Sequence, residues 1–516
     1  MARKAKTCVI VGGGHNGLTC ASYLAGAGFD VTVLEKRSVV GGAAITEEFT
    51  PGFRNSALSY AVSLLPQKII DDLRLREHGL RIVDRSGVRC KRFIPAPNGA
   101  DLLMPSKIDD AAALLDKTAP GDGDAYRLFE TRIAEIAKVV KGLMLEQPPN
   151  IRGGIGDIVG VLMTAGNMSR LDQDARETLI KLFTSSVGDY LNSIFKSDVL
   201  KGMLAYSSVS GNFQSPYSAG SAYVLLHHAL GEIDGKTGVW GHAMGGMGAI
   251  TDALSGAAAE RGVKVRVDSP VSEILLDGNE AKGVRLADGE TIECDLVAAN
   301  VNPKLLYLQL MDPNGLPADF KTSIENWRCR SGILRLNVAL SELPNYTCRP
   351  GADLQPHHAA PMATSFSIDY LDKAYDDAKA GHWASEPIIE LNIPSTIDPD
   401  LAKPGCHVAS LYCQHFHPEL SDGRDWDDVK DEAIKHVFDY MDTIAPNFSR
   451  SVIGMKAYSP KDLEREFSLI GGDIFHGALH LDQIYSQRPA TGYAGYNSPV
   501  DGLYLCGAGS HPGGGV

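Results

Sequence analysis

The chain has 516 residues, 44% of them hydrophobic and 22% charged, with a net charge of −14. That length can bury a large core and suggests two or more domains. The acidic balance argues against nucleic acid, whose binding rests on cationic contacts to phosphate, and disfavours simple electrostatic docking to anionic lipid. A local apolar docking surface stays open. The nine cysteines are odd in number, widely spaced and without C-x-x-C, so they read as reduced thiols of an intracellular protein. Neither a dithiol redox centre nor a metal site is expected. No presequence is expected either, because residues 1–6 lead straight into the first strand. The uncharged run 7–29 is long enough to span a bilayer. Its glycines, His15 and Asn16 suit a tight turn better, and no transmembrane helix is expected.

The first elements form a βαβ unit: a buried strand over 7–11, a helix over 18–27 and a strand over 30–34. Between strand and helix stands G-x-G-x-x-G at Gly12, Gly14 and Gly17. Gly12 permits the sharp turn, Gly14 lets a pyrophosphate approach the backbone, and Gly17 lets helix pack on strand. The helix N-terminus offers free N–H groups to phosphate. Glu35 ends the second strand, where an acid accepts hydrogen bonds from a ribose diol. This is an adenine dinucleotide site. Gly41-Gly42-Ala43-Ala44 follows, a small-residue stretch that leaves room for a cofactor.

Residues 47–53 read as strand and turn, and 55–65 as a small apolar stretch suited to lie against a flat ring. The region 66–231 is expected to be mainly helical. Phe129, Ile133, Ile136, Val140 and Leu143 share one helical face that Pro148-Pro149 ends, and a second helical block covers 173–195. The Gly and Met content of 151–168 is compatible with peripheral membrane contact. Gly245-Gly246-Met247-Gly248 then opens a helix over 251–261, followed by strands over 263–267, 272–276 and 296–300. From Leu334 to Leu340 apolar residues alternate with Arg335, Asn337 and Ala339, which is strand periodicity. Further strands are expected over 388–393 and 408–413, and an amphipathic helix over 427–444. The C-terminal strand runs into Gly507-Ala508-Gly509-Ser510-His511-Pro512-Gly513, and a helix is expected to begin where the sequence stops at Val516.

These motifs together resemble the phytoene-desaturase and carotenoid-isomerase branch of FAD-dependent oxidoreductases. Gly471 to Ala478 with Leu481-Asp482-Gln483 narrows the resemblance to the pyridine nucleotide-disulphide oxidoreductase domain-containing proteins. The resemblance implies an α/β, two-lobed, Rossmann-like FAD-binding flavoprotein of amine-oxidase and phytoene-desaturase type, with an inserted mixed-sheet and helical substrate domain. The expected division is 1–65, 232–325 and 481–516 for FAD, 66–231 as a helical cap, and 326–480 as the substrate domain with a sheet. Candidate FAD contacts are Gly12, Gly14, His15, Asn16, Gly17, Glu35, Lys36, Gly41, Gly42, Ala43, Ala44, Val271, Asn300, Gly507, Pro512 and Gly513. Animal members of the group are placed in the mitochondrial matrix; without a presequence, this chain is expected in a bacterial cytoplasm.

The expected chemistry is hydride transfer between a largely apolar small molecule, polyene-like or amine, and flavin N5. His511 is the candidate catalytic side chain, against a plain turn histidine that bonds backbone. His476, His480, His227, His228 and the stretch Trp240 to His242 are further candidates to approach the cavity. Two alternatives stand beside this: a non-redox binding protein on the same fold, as in the GDP-dissociation inhibitors, and an isomerase that uses reduced FAD. The sequence leaves the oligomeric state open.

Overall fold

The computed structural model describes residues 5–85, 90–96, 101–150, 153, 166 and 170–515. The run 151–168, considered above for membrane contact, lies outside them apart from Gly153 and Gly166. Among the described residues no helix is long and apolar enough to cross a membrane.

One lobe is built on a parallel sheet in the order Lys264–Arg266, Asp30–Leu34, Thr7–Val11, Leu296–Ala299, Leu503–Leu505. Its central strands Thr7–Val11 and Leu296–Ala299 are apolar on both faces because both are covered, while the edge strand Lys264–Arg266 is charged and partly exposed. Val9, Val11 and Leu34 pack with Val297 and Leu503 onto a three-stranded antiparallel sheet spanning Val271–Asp277, Glu280–Leu286 and Thr291–Glu293. Cys8, Ile10, Val31 and Val33 face the other way, against Ala21 and Ala258 of the helices His15–Gly26 and Gly248–Glu260. Ile10 and Val33 are fully buried, each stabilising the sheet by about 2 kcal/mol relative to exposure.

The other lobe carries a seven-stranded sheet, Val452–Tyr458, Ile333–Leu340, His407–Phe416, Trp383–Asn392, Met362–Ala363, Cys90–Ile94 and Leu102–Pro105 in spatial order. The segment 66–231 is therefore not only helical. Its last two strands are short, four and five residues, and too brief to show a period in the sequence. All eight residues of Ile333–Leu340 are buried. Leu334, Leu336, Val338 and Leu340 meet the helix Trp426–Ile444 through Val429, Val437 and Met441. Arg335 and Asn337 alternate with them as expected, yet they face the first lobe rather than water: Asn55 Nδ2 donates to Asn337 Oδ1 at 2.8 Å.

A helical layer covers the far end of this sheet, with Asp122–Gly142, Gln173–Thr184, Val187–Asn192, Asp198–Val209 and Ala222–Ala229 around one core. The block expected over 173–195 is broken in two, because Ser186 caps a new helix by accepting the Asp189 N–H. The lobes meet along residues 43–59, where Arg335 Nη2 and Asn337 Nδ2 donate to Ser56 O at 3.3 and 3.2 Å.

Candidate active site

The glycine motif closes on itself. Gly12 has φ +98°, and its N–H donates to Leu34 O at 2.8 Å. A Cβ on Gly17 would stand 2.2 Å from Gly12 O, so only glycine lets the helix start this close to the turn. Gly41 N–H donates to Gly13 O at 2.8 Å, and a Cβ on Gly42 would meet Gly14 Cα at 3.2 Å. The glycine pair is thus folded back onto the loop. Asn300 is the hub: Nδ2 donates to Gly12 O at 3.2 Å and stands 3.0 Å from where a Gly14 Cβ would be, while Oδ1 stands 2.9 Å from that of Gly507. Two segments far from it in sequence therefore touch one amide side chain.

The helix His15–Gly26 has Gly14 at its N-cap and no side-chain cap there, which leaves its first N–H groups for an anion. His15 Nδ1 is buried without a partner, and burial lowers the ring's pKa to about 4, so it is neutral at pH 7. Glu35 is buried, with Oε2 accepting the Gly13 N–H at 2.8 Å and Oε1 the Arg37 N–H at 3.0 Å. Each oxygen keeps a lone pair for a ribose hydroxyl. Glu35→Ala should weaken FAD binding by about tenfold or more, the worth of hydrogen bonds to a charged acceptor. Unchanged flavin content in the purified variant would sink the ribose assignment.

Other candidates are placed differently. Lys36 turns away from the loop; Nζ donates to Ser468 Oγ at 2.7 Å and Arg465 O at 3.2 Å, so it ties the lobes together. Val271 opens its strand against the core behind the parallel sheet, two residues past Ser269, whose N–H bonds Glu35 O. Ala43 and Ala44 lie in the turn Gly42–Ala44 at the lobe junction. His511 is buried and its Nε2 donates to Leu143 O at 2.9 Å, leaving Nδ1 as the nitrogen for any proton transfer. Its ring also meets Tyr485 edge-on at 5.4 Å. Cys20 and Cys506, far apart in sequence, hydrogen-bond to each other as free thiols.

A cavity of about 930 Å³ opens beside these groups. His15, Asn16, Gly507, His511, Pro512 and Gly513 border it, with Leu64, Phe183, Leu230 and Ile484 among its apolar walls. His227 borders it as well, but His476 and His480 do not. His228 stacks on Trp240 at 5.8 Å, and His242 Nε2 bonds Asp398 at 3.2 Å. Sequence reasoning passed over Arg488, which looks like an ordinary loop arginine. It is fully buried and donates to Phe475 O and Ala508 O at 2.7 Å and to Gln483 O at 3.0 Å. It thereby fixes the closing turn to the 475–483 segment. Asp473 accepts N–H groups from Phe475, Gly477 and Arg330, and burial pushes its carboxyl up to about 6.

Burial also lowers five histidines, His15, His357 and His476 to about 4 and His227 and His415 to about 3. In the unfolded chain each titrates near 6.5. Above that pH both states are neutral and there is no penalty. As pH falls, the unfolded chain takes up protons that the folded one refuses, and the loss saturates only below the folded values. The urea midpoint should therefore drop steeply from pH 7 to pH 4.5. A flat profile across that window would contradict the buried neutral rings.

Residues 17–333 match the family described as flavin containing amine oxidoreductase. The chain belongs to that family. It is 36% identical to pyridine nucleotide-disulfide oxidoreductase domain-containing protein 2 of Mus musculus, over 98% of the chain and 90% of that protein. It is 26% identical to a zeta-carotene-forming phytoene desaturase of Myxococcus xanthus, again over 98% and 90%. Its fold matches the crystal structure of an oxidoreductase from Methanosarcina mazei with a TM-score of 0.59 at 16% identity, covering 99% of this chain and 96% of that one. As a flavin amine oxidoreductase with the FAD-binding fold, it is an FAD-dependent oxidoreductase. The site fits the cofactor: the uncapped helix start, the orphaned His15 nitrogen and the Gly14–Gly42 approach would hold the pyrophosphate, and Glu35 the ribose.

Proposed function

We propose that this flavin amine oxidoreductase dehydrogenates a small molecule with a large apolar part at a C–H or C–N centre. The observation that carries this reading is the cavity itself, which runs between the glycine loop and the closing turn with mainly apolar walls. Bound FAD would supply the hydride acceptor. The protein's part is to bind, orient and keep water out. Leu64, Phe183, Leu230 and Ile484 desolvate the substrate. His15 and His227 stay neutral beside it, so they add no competing charge. His511, held by Leu143 O, and Arg488, held by Ala508 O, fix the turn that carries Pro512 and Gly513.

The test is anaerobic. Purified protein loaded with FAD is mixed with apolar amines, polyenes and alicyclic hydrocarbons, and flavin bleaching is followed. Bleaching with stoichiometric formation of a new C=C or C=N bond supports the proposal. Isomerised product with no net bleaching assigns an isomerase instead, and a folded protein that takes up no FAD sinks the reading altogether.

A further inference from the structure

No cysteine spacing in the chain signals a dithiol, yet the fold makes one. Cys20 and Cys506 stand over 480 residues apart. Cys20 lies on the helix His15–Gly26, one turn after Asn16 and one turn before Tyr23. The three share a face of that helix, and all border the cavity. Cys506 directly follows the edge strand Leu503–Leu505. Leu503 and Leu505 pack into the core behind the parallel sheet. Alternation along the strand therefore turns Tyr504 and Cys506 to the opposite side, where the helix lies. Cys20 and Cys506 both pack there on the cluster that holds Cys8, Ile10 and Ala21.

Their sulfurs are in contact, with the Cys506 S–H donating to Cys20 Sγ. Each side chain keeps part of its surface open, and both border the cavity, which gives a small oxidant a path to them. The two thiols are unequal. The hydrogen bond from Cys506 holds the Cys20 thiol below its ordinary value, although burial opposes this. The same bond, with burial, keeps the proton on Cys506 and holds it well above its ordinary value. Cys20 is thus the first thiolate and Cys506 its partner, the arrangement of an attacking and a resolving thiol. Cys8 stands beside both, but it is 2% exposed and burial pushes it up to about 12. It stays protonated.

The position gives the pair a consequence. Asn16, one turn before Cys20, and Gly507, next to Cys506, both border the cavity on the cofactor path. A bond between the two sulfurs would join the start of the glycine-motif helix to the closing turn.

We infer that Cys20 and Cys506 are a dithiol site oxidised by hydrogen peroxide, whose disulfide fastens the glycine-motif helix to the closing strand. The Cys20 thiolate attacks one peroxide oxygen; the O–O bond breaks, and hydroxide leaves and takes up a proton as water. Cys20 is then a sulfenic acid. Cys506 gives up its proton as its sulfur attacks Cys20 Sγ; the S–S bond forms, the S–O bond breaks and a second water leaves. Two thiols lose two electrons, and one peroxide is reduced to two waters. A dithiol reductant reverses the step by exchange. The inference goes beyond the oxidoreductase reading and holds whatever the substrate.

The test uses the FAD-loaded full chain, purified reduced and then freed of reductant. One equivalent of hydrogen peroxide is added, the remaining thiols are alkylated, and a tryptic digest is read by mass spectrometry. The peptides of Cys20 and Cys506 should appear joined and two hydrogens lighter, with the other cysteines alkylated. The bridge closes a loop of almost the whole chain, so the unfolding rate in urea should fall roughly tenfold or more and return with dithiothreitol. Flavin fluorescence, which rises on release, should show FAD leaving the bridged form more slowly. Cys506→Ser removes the resolving thiol, so peroxide should leave a Cys20 sulfenic acid that dimedone traps. Cys8→Ser should leave the bridge unchanged. A bridge from Cys20 to Cys8, overoxidised Cys20 beside a free Cys506 in the parent, or a bridge that forms only in urea would each overturn the inference. So would equal unfolding and FAD-release rates in the reduced and bridged forms. In a chain that holds no FAD the peptide map and the unfolding rate decide alone, which keeps failure of the oxidoreductase reading separate.

Discussion

A Gly17→Val protein should purify folded but without flavin. The new Cβ would lie 2.2 Å from Gly12 O and 2.9 Å from Asn300 Nδ2. The first of these is a backbone carbonyl on a turn held by Leu34 O and Asn300, so it cannot swing aside. The helix start must move off the strand, and with it the N–H groups of residues 15–17 that face the phosphates. Overpacking of this kind costs about 1–3 kcal/mol, or roughly ten- to a hundredfold in an affinity that depends on the displaced groups. The seven-stranded sheet and its core lie in the other lobe and should survive. The ratio of flavin to protein absorbance reads the loss, and circular dichroism reads the fold. Gly26→Ala on the same helix is the control, since its Cβ would meet nothing within 4 Å. A yellow Gly17→Val protein with ordinary flavin content would refute the loop assignment.

Arg488→Leu should give the largest loss of stability. One guanidinium serves the carbonyls of Phe475, Gly477, Gln483 and Ala508 and lies 5.1 Å from the centre of the Trp327 ring. Leucine fills much of the volume but donates nothing. Four buried carbonyls then lose a donor, and Asp473 loses the cation that faces it. Breaking a buried charged network of this kind costs about 3–5 kcal/mol. A chain of this size can unfold irreversibly, so the readout is the unfolding rate in urea, which should rise by roughly a hundredfold or more. Arg488→Lys should rescue only part of it, because one ammonium cannot span carbonyls fanned around a planar fork. An unfolding rate within twofold of the parent would show that the network carries little of the stability.

What the sequence disclosed follows from how local each feature is. Gly12, Gly14, Gly17 and Glu35 lie within 24 residues and act through backbone geometry, so their spacing alone carries their meaning. Adjacency to Glu35 says nothing about a lysine's reach, and the Lys36 stem leads to Ser468, over 400 residues away in sequence. The polar face of Ile333–Leu340 showed correct alternation, but alternation cannot tell water from a second lobe. Arg92, Arg335 and Glu390 sit on three strands of one sheet and Tyr60 on the opposite lobe, so no window of sequence contains this buried cluster. A signal did exist in retrospect: an arginine flanked by Leu334 and Leu336 in a strand whose one other polar residue is Asn337. Arg488 offered none, since its importance lies in the carbonyls it finds.

The parallel sheet has a consequence for how the protein is made. Its middle strand, Thr7–Val11, leaves the ribosome long before the edge strand Leu503–Leu505, from which almost the whole of the described sequence separates it. Asn300 must meet both the first glycine loop and Gly507. At roughly 5–20 residues per second, the nascent βαβ unit waits about half a minute to two minutes for its final strand. During that wait Ala299 lacks its neighbour Leu505, and one edge of the sheet stays open to wrong pairing. Cofactor loading is thus expected only after Gly507 has reached Asn300. Ribosome-stalled chains that expose residues up to 490 should bind no FAD, whereas release of residues 503–513 should confer binding in one step.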